Sequence, residues 1–182
     1  MQLLEYIRQS VYARALRKRQ AAVRRQSATA ELRFATAGTV GLFFHLPDEK
    51  TAVEFAERLR REGKKVTLLA WQPDEKAAPS DHPFPVFGPK EVDWYTRPKG
   101  EDVLQFMDQP FDLLFFLNTQ SDRLSDFIAV GSRASCKLGP LSEHPAAYDL
   151  MIDVAPGAEL RIFIQQIMAI LEKTNVQYHQ LS

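Results

Sequence analysis

From Gly38 onward, short continuous apolar runs alternate with segments whose apolar residues return every three or four positions. Few folds accept that alternation. The run TVGLFFH (39–45) lacks the polar alternation of a half-exposed strand and fits one covered on both faces. LPDEKTAVEFAERLRREG then has Pro47 in its first turn and Val53, Phe55, Ala56 and Leu59 on one side. Arg58, Arg60 and Arg61 suit the negative end of a helix, and Gly63 a stop. KVTLLAW (65–71) is a second strand, so residues 39–71 form a βαβ unit with a parallel pair. A proline-rich segment (72–100) follows, with one short extended piece at 85–87. Beyond it come a helix at 99–109, a strand in FDLLFFLN (111–118) and a helix at 121–133 capped by Ser121. Strands at 134–139 and 148–154 precede a helix at 156–174. The prediction is an α/β, Rossmann-like domain over 38–175: a mostly parallel sheet of about five strands with helices on both faces.

Ahead of it, residues 1–33 read as a basic amphipathic helix and a connector. Leu4, Ile7, Val11 and Ala15 recur at helical spacing, with Tyr12 and Leu16 widening the stripe. The second half, ALRKRQAAVRRQ (15–26), holds five cations and no acid. Eight basic residues over 1–33 stand against Glu5 and Glu31, a balance of +6. The whole chain sums to zero, so the remaining residues carry −6. A basic arm on a faintly acidic body points to a polyanionic partner. Like charges crowded into about 18 Å of helix repel one another, and neutralisation by phosphates removes that penalty.

Other classes are disfavoured. The single cysteine, Cys136, excludes an internal disulfide and a multi-cysteine zinc site. His45, His82, His144 and His179 show no ligand spacing, so no metal is expected. The first strand-to-helix turn, HLPDEK, has two acids and no glycine, which argues against a dinucleotide. No P-loop or nucleophile elbow occurs, so neither cofactor nor catalytic residue is expected. Apolar runs are too short for a membrane span and no leader pattern opens the chain, which suggests a cytoplasmic protein. Ligands of open α/β sheets sit at the carboxyl ends of strands, which selects His45, Asn118, Thr119 and Ser142 as a candidate cleft. Trp71, Gln120, Glu143, His144 and Asp153 fall at the same edge. In DWYTRPK, Trp94, Tyr95 and Arg97 could stack on bases or cover a sheet edge.

Two resemblances add to this. The order of basic helix, GLFF strand, EGKKV turn, DWYTRPK and YDLMID resembles a family of small uncharacterised bacterial single-domain α/β proteins. That resemblance implies no particular activity. Residues 111–139 resemble the strand–helix–strand of the N-terminal half of heptosyltransferase-type glycosyltransferases. Phe111–Asp112, Arg123 with Ser125, and Lys137 with Gly139 stand where those enzymes carry an aromatic-Asp pair, an Arg-x-Ser and a basic residue before glycine. Such transferases bind the nucleotide sugar on a second Rossmann domain, which 43 residues after Gly139 cannot build.

The leading expectation is a non-catalytic adaptor that docks on structured RNA, as a ribosome-associated factor would, or on an anionic membrane at its inner face. Arg14, Arg17, Lys18, Arg19, Arg24 and Arg25 carry the contact. Leu4, Ile7 and Val11 would meet lipid or a protein partner. The alternative is a glycosyltransferase-like or nucleotide-sugar-binding half-domain completed by a partner.

Overall fold

The computed structural model describes residues 12–14, 17, 34–76 and 81–179, with side chains as far as Lys173. Six strands form one parallel sheet: β1 (Thr39–His45), β2 (Lys65–Trp71), β3 (Val86–Phe87), β4 (Leu113–Leu117), β5 (Cys136–Pro140) and β6 (Leu150–Ile152). Beyond the helical residues 12–14 and 17, four α-helices accompany them among the described residues: α1 (Glu49–Arg61), α2 (Glu101–Asp108), α3 (Arg123–Gly131) and α4 (Leu160–His179). The strand order is β3-β2-β1-β4-β5-β6, a doubly wound α/β arrangement. The sixth strand is β3, the short extended piece at 85–87. Two residues too few for any periodicity become a strand because β2 offers them a free edge, at Ala70–Val86 and Trp71–Phe87.

The sheet separates two apolar layers. Leu42 and Phe44 of β1 and Phe115 and Leu117 of β4 meet α1 and α4 on one face. Phe43, Leu114 and Phe116 point the other way, toward α2 and α3. Both faces are therefore apolar, as the unbroken runs required. Gly41 faces the second layer, where a Cβ would lie 2.8 Å from Leu114 and Phe111. Only glycine lets those two side chains close over β1.

Helix α1 buries Ala52, Phe55, Ala56 and Leu59 at helical spacing. A 3-10 turn, Leu46–Asp48, precedes it and accommodates Pro47. Its end is set by Gly63, whose φ of +84° lets the Lys64 amide reach back to the Leu59 carbonyl at 3.1 Å. Lys64 then folds inward and donates to the Phe34 and Ala37 carbonyls at 2.7 and 3.0 Å. That contact ties the connector to the amino edge of the sheet. At the same edge the Asp112 carboxylate accepts from the Gly38 amide, the Thr39 amide and the Thr39 hydroxyl.

The helix at 121–133 begins at Arg123 and is capped by Asp122, not Ser121. One Asp122 oxygen accepts from the amides of both Leu124 and Ser125, at 2.9 Å each. An ionised acceptor answers a helix N-terminus more strongly than a hydroxyl does. The last helix starts four residues later than its apolar pattern suggested, because Gly157 turns the chain at φ +79°.

Candidate functional site

In this strand order the connections from β1 and β4 leave for opposite faces of the sheet, and a crevice opens between them. His45 ends β1, and Asn118 and Thr119 follow β4. Beside them lies a cavity of about 440 Å3. Thr119, Gln120, Ser121, Asp122, Arg123 and Asp126 form one side, and Leu141, Glu143, His144, Ile152 and Asp153 the other.

Two carboxylates organise this edge. Asp122 caps α3, accepts from the Ser125 hydroxyl at 2.6 Å, and stands 3.3 Å from His45 Nε2. Burial pushes its carboxyl pKa up, but the close approach of His45 and the bonds from Ser125 outweigh this and hold it below the usual carboxylate range. The His45 contact has ion-pair distance without hydrogen-bond alignment. Asp126, 4% exposed, accepts from Ser121 at 2.6 Å and from Ser142 at 2.8 Å. It thereby joins the loop after β4 to the loop after β5. Tyr148 faces the same carboxylate, and burial together with the Asp126 charge drives its phenol far above the ordinary value.

The four predicted cleft residues thus surround one helix start in different roles. Thr119 lines the cavity. Ser142 donates to Asp126 and accepts from the His144 amide. His45 packs edge-on against Phe43. Asn118 is buried, donates to the Gln120 carbonyl at 2.7 Å and shapes the loop, leaving its own Oδ1 unpartnered. Ser125 and Ser142 both hydrogen-bond to carboxylates, and no histidine accepts from either among the described residues. That arrangement does not activate a serine nucleophile. No group of three or more His, Cys, Asp or Glu side chains suited to a metal ion occurs among the described residues.

The charge of the lining matters for what could enter. Asp122, Asp126, Glu143 and Asp153 oppose Arg123, which leaves the acids and the arginine of the lining with a formal charge of −3. The amides at the head of α3 are already taken by Asp122. Sequence reasoning did not single out Asp122 or Asp126. An Asp immediately before a helix's first apolar residue, in SDRLSD, is the signal that could have found the first.

The basic segment meets the domain through Tyr12, which is 4% exposed. Its hydroxyl donates to the Arg123 carbonyl at 2.8 Å, and its ring lies 6.1 Å from Phe127 and 5.9 Å from His144 between centroids. The backbone is helical at 12–14 and at Arg17, and Arg14 and Arg17 are exposed. Lys18, Arg19, Arg24 and Arg25, like Leu4, Ile7 and Val11, lie outside the described residues.

Trp94 is 54% exposed, and its ring lies against Tyr95 with centroids 3.8 Å apart. Asp93 holds this turn by accepting from the amides of Tyr95 and Arg97 and from the Arg97 guanidinium.

A protein-family model, DUF6913, a family of unknown function, matches residues 8–174. The chain belongs to that family. Its extent takes in the segment bearing Tyr12, Arg14 and Arg17 together with every strand of the DUF6913 domain. No curated protein and no solved structure matches the chain. No helix among the described residues is long and apolar enough to cross a membrane.

Proposed function

We propose that this DUF6913 protein is a non-catalytic adaptor that docks on structured RNA through its basic N-terminal segment. The observation that carries the reading is the attitude of that segment: Tyr12 is seated in the domain while Arg14 and Arg17 face outward. Seating lowers the ordering cost of presenting cations to a rigid polyanion. The split of +6 on residues 1–33 against −6 on the rest supplies the electrostatic drive and keeps the body from competing for phosphate. Arginine dominates the segment and suits bidentate phosphate contact.

Retention of an RNA hairpin, measured against salt, tests the reading. Six phosphate contacts, from Arg14, Arg17, Lys18, Arg19, Arg24 and Arg25, give a log K against log salt slope of about −5. Replacing all six by Gln is expected to abolish retention. Wild-type protein that ignores the hairpin at low salt overturns the reading. Binding to phosphatidylserine vesicles in preference to RNA moves it to an anionic membrane face.

A second reading, a nucleotide-sugar-binding half-domain completed by a partner, is supported by the position of the cavity at the carboxyl edge. The formal −3 of its lining opposes a diphosphate. A nucleotide sugar at 100 times its Kd would add about 2.7 kcal/mol of thermal stability. No shift across a panel of such compounds disposes of this reading.

A further inference from the structure

The outward segment and the strand-end cavity meet at one side chain. The connection from β5 to β6, residues 141–149, contains no helix, although that flank of the sheet has to be covered on the α3 side. Ala147 and Tyr148 cover part of it, and Tyr12 covers more from outside the domain's own alternation. Tyr12 is fastened to two residues of the cavity rim. Its hydroxyl bonds to the Arg123 carbonyl and its ring rests beside His144, both of which line the cavity. Arg14 and Arg17 follow it by two and five residues and stand exposed.

We propose that Tyr12 is a latch joining the basic segment to the rim of the cavity, so that a polyanion held by Arg14 and Arg17 is felt at Arg123 and His144. The phenol ring is seated between Phe127 and His144, and in the proposed latch a polyanion that draws the basic segment outward would withdraw it. Whatever binds one state better at the outer site changes affinity at the inner one, and the effect is reciprocal. The identity of the outer ligand rests on the RNA-docking reading; the latch itself does not.

Backbone amide exchange on the full chain tests this with wild type, Tyr12→Phe and Tyr12→Ala, with and without an RNA hairpin. Without RNA, Tyr12→Phe keeps the ring and loses one hydrogen bond, so exchange over 119–126 and 141–148 is expected to rise about fivefold. Tyr12→Ala is expected to raise it by more than tenfold while β1 and β4 stay protected. RNA is expected to alter exchange at these two loops in wild type and not in Tyr12→Ala. Unchanged loops in both variants, or RNA that binds wild type without touching them, overturns the latch. Should Tyr12→Ala loosen β1 and β4 as well, Tyr12→Phe decides. A hairpin that fails to bind wild type overturns the docking reading, and the same comparison with inorganic polyphosphate as the outer anion then decides the latch.

Discussion

Asp122 shows how much one side chain can organise. It ends the loop after β4, starts α3 and holds His45 from β1, so three elements converge on one carboxylate. Asp122→Ala is expected to cost about 1–2 kcal/mol in denaturant unfolding, as for a lost N-cap. Its pKa is depressed in the folded state, so the stabilisation is complete above the ordinary carboxyl range. It disappears as pH falls through the lower folded value. Acid unfolding of wild type should therefore be steeper below pH ~4 than that of Asp122→Ala. Cys136 illustrates the opposite environment. Burial, with a further push from Asp149, drives its thiol up to about 12. A thiol reagent at neutral pH is expected to modify it only after unfolding, and rapid labelling of native protein would contradict this.

At the level of elements, two glycines fail for different reasons when replaced. In β1, Gly41→Ala drives a methyl group into Leu114 and Phe111, an overpacking cost of about 1–3 kcal/mol. After α1, Gly63→Ala meets no atom within 4 Å, yet the φ of +84° costs about 1 kcal/mol. Paired denaturant titrations check both values. Phe111→Leu should relieve part of the first and none of the second, because only the first is a contest for space. The lengths of α1 and α3 follow equally local causes: a left-handed residue stops α1, and a carboxylate starts α3.

For the whole molecule, the basic segment is more than an appendage of charge. Removing residues 1–33 uncovers Phe127 and His144 and is expected to lower stability by about 2 kcal/mol, the worth of one buried aromatic side chain. Replacing Arg14 and Arg17 by Gln should leave stability unaltered, since both are exposed. Thermal melts of the two variants separate burial from charge. The alternation of continuous apolar runs with segments of period 3.6 was enough to read β1, α1 and β2 in order, because each takes its shape from neighbours in the chain. It also marked the carboxyl-end residues, from His45 to Asp153, as one edge. Strand order, the two-residue β3 and the bonding of Ser121 and Ser142 to a single Asp126 depend on pairings between distant segments. No periodicity records those. Tyr12 is the sharpest case: its helical spacing identified an apolar stripe, but its partner 111 residues away became visible only once the sheet had brought α3 and the β5–β6 loop together. Local patterning chooses the elements, and the closing of long loops over a shared core chooses their neighbours.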